Sequence, residues 1–342
     1  MKAARFYEKH KIIVEDIPLK EPNEYEVLIR VRYCGVCGTD VHIFEGDKGS
    51  AEVNPPVILG HELSGDVVRV GSKVKGFKPG DRVAVDPNSY CGKCYFCANG
   101  KRHLCENMIG LGTATDGGFA EFITVPEDIV FKIADNVNYE MAALAEPISC
   151  CLHGMDLTDV RIGDVVMIVG TGTIGMIMLQ LAKNAGAAKI IAVEPNQKRL
   201  ERAKELGAHI CINPLIDDTD EILIRNGVKN IEKVIDCAGL VSTAEYSVKY
   251  AGRGATVMLF GLTGPDDVMN LKPFEVFLKE LTIKGSFVNP NTFERACRLL
   301  ESGAVKTEQI ITDIIPLDDI QSIFDQKLYA KDGKVLIKCF ED

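Results

Sequence analysis

The sequence is short of positive charge: 39 Lys and Arg stand against 49 Asp and Glu, a net charge of −10. A long-range field of that sign repels nucleic acid and anionic membrane surfaces, and no cluster of Lys and Arg makes a local exception large enough to dominate. The first thirty residues mix charges throughout and contain no continuous apolar segment, which argues against a cleaved secretory leader. Residues 165–182 form an 18-residue stretch without a charge. They are interrupted by Gly170, Gly172 and Gly175, so a strand, a glycine turn and a helix account for them better than a membrane span. Internal repeats and low-complexity segments are missing, and 46% hydrophobic against 26% charged residues excludes a disordered chain.

What is present is enough chain for about two domains: 342 residues. Up to about residue 147, short β-type runs (27–33, 64–70, 81–85, 120–125) alternate with turn signals, a mainly β pattern. From Asp164 strands and helices alternate (165–169, 174–185, 190–193, 198–206, 233–237, 243–251, 255–260, 281–287), which predicts βαβ units on a parallel sheet. Ile174, Ile177, Met178, Leu181 and Ala185 fall on one helix face. A helix over 292–301 and a strand over 335–340 are too short for a domain and are assigned to the N-terminal half.

Twelve cysteines pose the compartment question. Cys91, Cys94, Cys97 and Cys105 lie within fifteen residues, and four thiolates so spaced can wrap one tetrahedral Zn²⁺ in a closed, structural shell. Two disulfides are the alternative, and the spacing alone does not separate zinc from an iron–sulfur cluster. Cys37 in GVCGTDVH and His61 and Glu62 in GHELSG offer one sulfur, one imidazole and one carboxylate, a set that suits zinc and leaves room for water or substrate. Gly60 and Gly65 permit the tight backbone that two neighbouring donors require.

The glycine turn VVMIVGTGTIG places Gly170, Gly172 and Gly175 between a strand and a helix, the context of a dinucleotide site, with Thr173 and Ile174 opening the helix towards pyrophosphate. Glu194 ends the next strand, where a carboxylate binds both adenosine ribose hydroxyls and repels a 2′-phosphate, favouring NAD over NADP. Lys198 and Arg199 stand close enough to serve a phosphate, and Arg199 is counted with the cofactor residues. The pattern KRLERAKELG also reads as a solvent-facing helix.

CGTDVH, GHELSGDVVRVGSKV, the four-cysteine lobe, AEPISCCLH (145–153), the glycine turn and GKVLIK (333–338) together resemble the zinc-dependent medium-chain alcohol dehydrogenases, and more closely their polyol (sorbitol) and threonine branch. The resemblance implies an α/β protein: a GroES-like β-rich catalytic domain over 1–147, completed by 288–342, and a Rossmann NAD-binding domain over 148–287, with the active site in the cleft between them. It further implies a catalytic zinc on Cys37, His61 and Glu62, with Glu146 ligating directly or through water, and a second, structural zinc on the four cysteines. Thr39 and His42 would carry the proton, and Asp40 would hold the His61 ring. The reaction implied is hydride transfer between NAD(H) and a secondary alcohol or ketone, of polyol or sugar-alcohol type. A threonine 3-dehydrogenase-like or polyol-phosphate activity is the alternative.

Val288, Asn289 and Ile43 depart from the sorbitol dehydrogenase pattern, and Asn289 is either a hydroxyl contact or a turn residue. A zinc-free quinone reductase relative, an NAD-binding sensor and a zinc-ribbon nucleic-acid module fit the donor set and the charge less well. A small-molecule substrate without nucleic-acid or membrane partners, a cytoplasmic location and a dimer or tetramer complete the expectation. The remaining cysteines, Cys34, Cys150, Cys151, Cys211, Cys237, Cys297 and Cys339, read as small core residues.

Overall fold

Alternation of strand and helix produces a parallel sheet when every strand returns over one face by a helix, and residues 165–285 do this. In the computed structural model, which describes residues 1–47, 53–328 and 332–340, six strands lie in the order Ile210–Ile212, Lys189–Val193, Val165–Val169, Lys233–Asp236, Thr256–Leu259, Thr282–Gly285. All five pairings are parallel. Numbered along the chain the order is 3-2-1-4-5-6, the doubly wound arrangement with its switch point beside the first strand. That strand and its neighbours are fully apolar inside, with Met167, Val169, Ile191, Val193, Val234 and Val257 in one buried cluster, as a sheet covered on both faces requires.

The β-type half builds a seven-stranded sheet around Glu26–Gly35, which pairs with Glu62–Val70, Phe122–Pro126 and Lys334–Lys338. A smaller sheet joins Lys2–Glu8, Lys11–Asp16 and Val57–Ile58. Alternate residues of Glu26–Gly35, among them Val27, Ile29 and Val31, enter a core with Phe44, Leu63, Phe119, Phe324 and Ile337. The chain divides into two compact units, Met1–Ser149 with Asn289–Asp342, and Cys150–Val288.

Several elements differ from the expectation. CGTDVH forms a helix, Gly38–Phe44; period-2 patterning does not reveal it, but a capping contact does, because the Asp40 carboxylate accepts the backbone N–H of Cys37 at 2.9 Å. The helix Tyr139–Ala143 also lies in the half read as β, and Ala145–Thr158 runs from its end into the stretch before Asp164 that carried no assignment. Thr219–Arg225 and Pro273–Lys279 are helical where only connections were expected. The closing strand starts one residue earlier than the apolar run, at Lys334, because a buried lysine does not look like a core residue.

Candidate functional site

Three neighbouring strands assemble the first cluster. Gly35, at the end of Glu26–Gly35, is registered with Glu62 on one side and Leu336 on the other, and Cys37 follows as the N-cap of the helix Gly38–Phe44. One donor atom each from Cys37, His61 and Glu62 lies within 4.8 Å of the others. Asp40 welds the two donor segments together. Its Oδ2 accepts from Cys37 N at 2.9 Å, its Oδ1 accepts from Gly60 N at 3.1 Å, and the same Oδ1 lies 3.6 Å from His61 Nδ1. That is the placement expected of the residue that holds the His61 ring. Gly60 has φ +86°, and a Cβ there would lie 2.6 Å from the Phe119 ring, so the sharp turn before His61 requires glycine.

The cluster has the electrostatics of a cation site. Burial disfavours an imidazolium at His61, yet the Cys37 thiolate, Asp40 and Glu146 outweigh it and hold the ring well above the ordinary histidine range. His61 and Glu62 are nearly inaccessible. A sulfur, an imidazole and a carboxylate converging in such a buried place are a donor set that fits a bound zinc ion. Glu146 lies in the first turn of Ala145–Thr158 and is buried; it acts on His61 through its charge but is not among the three clustered donors.

Thr39 and His42 share a face of Gly38–Phe44, three residues apart. Thr39 is half-buried, and His42 is partly exposed with Nδ1 3.4 Å from Asp47 Oδ2. Lys334, missed in the sequence, belongs to this site: its ammonium donates to Glu62 Oε1 at 2.7 Å and to Val36 O at 2.8 Å. Burial works against that charge, but Glu62 and Cys37 raise the Lys334 pKa above its ordinary value. Only its place at the head of GKVLIK, where an apolar strand begins with an unaccompanied lysine, could have signalled it.

The second cluster brings Cys91, Cys94, Cys97 and Cys105 together within 4.8 Å. Cys105 Sγ lies 3.5 Å from Cys91 Sγ and 3.9 Å from Cys94 Sγ. A tetrahedron with metal–sulfur bonds of about 2.3 Å has sulfur–sulfur edges of about 3.8 Å, whereas a disulfide is about 2.05 Å; none of these four cysteines is in a disulfide. Backbone N–H groups of Lys93 and Cys94 stabilise the Cys91 thiolate and bring its pKa down to about 6. Arg102 anchors the lobe, stacking over Tyr90 at 4.3 Å and donating to Asn291 at 3.2 Å.

The Asn289 side chain is engaged inside the protein and does not sit at an exposed turn. It is fully buried, donating to Asp86 and Ser149 Oγ and accepting from Asn88.

In the other unit Gly172 caps the helix Thr173–Asn184, which begins with Thr173, Ile174 and Gly175. A Cβ on Gly175 would lie 1.9 Å from Gly170 O, so helix and turn meet at van der Waals contact only without one. Glu194 is buried beside the turn; its Oε2 accepts from Thr171 N at 2.8 Å and its Oε1 from Asn196 N at 3.0 Å. Arg199 is not part of a solvent-facing stripe: it is half-buried, with Nη1 3.9 Å from the place a Gly172 Cβ would take, while Lys198 is exposed.

Residues 23–135 match the alcohol dehydrogenase GroES-like domain and residues 173–302 the zinc-binding dehydrogenase domain. The chain is 35% identical to a sorbitol dehydrogenase of Bacillus subtilis (strain 168) over 334 residues, 97% of this chain and 94% of the relative. It is 32% identical to an L-threonine 3-dehydrogenase of Escherichia coli (strain K12) over 330 residues, 95% of this chain and 96% of the relative. The fold matches a zinc-binding dehydrogenase from Sinorhizobium meliloti 1021, solved bound to NADP, with a TM-score of 0.94 and 36% identity over 98% of both chains. Donor clusters, doubly wound sheet and relatives agree: the chain belongs to the zinc-dependent medium-chain alcohol dehydrogenase family, in its polyol and threonine branch, and is an NAD(P)-dependent oxidoreductase.

Proposed function

We propose that this oxidoreductase interconverts a secondary alcohol of the polyol or sugar-alcohol class and its ketone, with NAD as the preferred cofactor and two zinc ions per chain. The convergence of Cys37, His61 and Glu62 donor atoms within 4.8 Å carries the reading. These three residues would hold the catalytic zinc, with Glu146 as a further, more distant carboxylate, and Cys91, Cys94, Cys97 and Cys105 the structural one. When bound, zinc supplies the Lewis acidity that lets an alcohol hydroxyl lose its proton near neutral pH, and NAD accepts the hydride. Thr39 Oγ1 takes up the hydroxyl proton's hydrogen bond, and His42, one helical turn on and partly exposed, passes that proton to water. Asp40 keeps the His61 ring oriented so that its other nitrogen faces the donors.

Gly170, Gly172, Thr173, Ile174 and Gly175 would receive the pyrophosphate at the helix N-terminus, and Glu194 the adenosine ribose. Arg199 at the same turn is the feature that favours a 2′-phosphate. The buried Glu194 carboxylate opposes it and tips the preference to NAD.

No helix among the described residues is long and apolar enough to cross a membrane. Thiolates that hold zinc must stay reduced, which supports a cytoplasmic location. Exposed Phe274, Phe277 and Leu278 beside the edge strand Thr282–Gly285 support a homo-oligomer.

A panel of polyols, polyol phosphates, diols and L-threonine, assayed with NAD⁺ and NADP⁺ by absorbance of the reduced cofactor, tests the reading. Turnover of a polyol with NAD⁺ is expected, and metal analysis should find two zinc per chain, falling to one in Cys37→Ser with loss of turnover. Full activity in metal-stripped protein would overturn the mechanism, and exclusive turnover of L-threonine the substrate class.

A further inference from the structure

Lys334 is 4% exposed, and its ammonium faces an acidic group of side chains from the head of the last strand. Nζ donates to Glu62 Oε1 at 2.7 Å, lies 2.5 Å from Oε2, and uses another proton on Val36 O at 2.8 Å. Gly35, the residue before Val36, is registered with Glu62. One cation thus fixes the carboxylate and the loop that leads to Cys37 together. A buried ammonium is costly unless paired and hydrogen-bonded, and here it is both.

The donors explain why a cation would be kept there. A Cys37 thiolate and a Glu62 carboxylate already match the charge of a divalent ion, and Glu146 adds a third negative charge nearby. An ion fully neutralised by its ligands polarises a substrate weakly. Resting on the zinc reading above, we propose that Lys334 is a positioning residue of the metal centre: it contacts both oxygens of Glu62, holds the carboxylate in place and offsets its charge. A carboxylate so offset would donate less charge to a bound ion, which would keep more of its acidity. Without the ammonium, the full carboxylate charge would face the metal and grip it more tightly. Tighter metal with slower chemistry is the signature; a merely structural lysine would loosen the metal or leave it unchanged.

The test uses full-length protein reconstituted with Co²⁺, with the Cys37→Ser spectrum subtracted so that the visible band of this centre is isolated from the four-cysteine lobe. In Lys334→Met the band should shift as the carboxylate donates more charge, transfer of Co²⁺ to a chelator should slow by about 10-fold, and kcat should fall by about 10- to 100-fold with KM little changed. Lys334→Arg should restore all three. Lys334→Gln, which can still hydrogen-bond Glu62 and Val36, provides the neutral variant if the methionine does not fold, and should show the same slow release. Wild-type or faster release from a folded neutral variant overturns the proposal. A wild-type protein without a band that Cys37→Ser removes overturns the underlying zinc reading instead.

Discussion

At the scale of single residues, the metal cluster is built as much by what is missing as by its donors. Gly35 lacks a side chain where one would collide with a donor: a Cβ there would lie 2.2 Å from Glu62 Oε2 and 3.2 Å from Glu62 Cβ. Glu62 cannot swing away cheaply, because Lys334 contacts both of its oxygens. Gly35→Ala should therefore displace the carboxylate by about 1 Å and lower kcat/KM by about 100-fold. The lobe cysteines should keep their zinc, so metal analysis should fall from two ions towards one; wild-type kinetics would show that the strand absorbs the methyl group elsewhere. At the glycine turn, Glu194 would offer a bound cofactor's ribose charge-assisted hydrogen bonds of about 1.5–3 kcal/mol. Glu194→Ala should raise KM for NAD⁺ by about 10- to 100-fold and leave Arg199 to improve NADP⁺ relative to it. A native preference for NADP⁺ in the cofactor comparison would show that Arg199, not Glu194, decides.

At the scale of elements, residues 165–206 and 233–259 were legible because each strand is buried on both faces and each helix has a single apolar face; the strand Val165–Val169 matches its expected bounds. The donors were legible through motif spacing. The helix Gly38–Phe44 was missed because its signal is a single local contact, the cap made by Asp40. What could not be read were features made by contacts distant in sequence, such as Lys334, which lies 272 positions from Glu62. The polar node around Asn289 is of the same kind, since Ser149 and Asn289 lie far along the chain from the Asp86 and Asn88 pair. Burial there pushes the Asp86 carboxyl from 3.8 to about 6, against the opposing donors of Asn88 and Asn289. A raised acid favours folding at low pH and loses that contribution as pH rises through about 6, leaving an ionised buried carboxylate at a cost of up to about 3 kcal/mol. Asp86→Asn keeps an acceptor for Asn88 N and removes the charge. Its stability advantage over the native chain in urea melts should therefore grow between about pH 4 and 6 and level off above. Parallel pH dependences of the two chains would show that Asp86 does not titrate in this window.

At the scale of the whole molecule, each of the two units carries one half of the chemistry, the donor clusters in Met1–Ser149 with Asn289–Asp342 and the glycine turn in Cys150–Val288. The second unit also carries a surface that the reaction does not use. Among the described residues, Thr282–Gly285 ends the six-stranded sheet and pairs with Thr256–Leu259 alone. The adjacent helix Pro273–Lys279 has no buried residue, with Phe274 and Phe277 70% and 76% exposed. An open sheet edge beside exposed aromatics invites pairing with another chain, and each phenylalanine covered removes about 150–250 Å² from water. A second copy of the same chain is the partner that supplies a matching edge and a matching patch by two-fold symmetry. Light scattering should give a mass that is a multiple of 37.4 kDa. Phe274→Glu with Phe277→Glu, which places two charges on the patch, should lower that mass while the metal content stays at two zinc per chain. A native chain that remains monomeric at micromolar concentration, or a variant that keeps the native mass, would show that this face is not where copies meet.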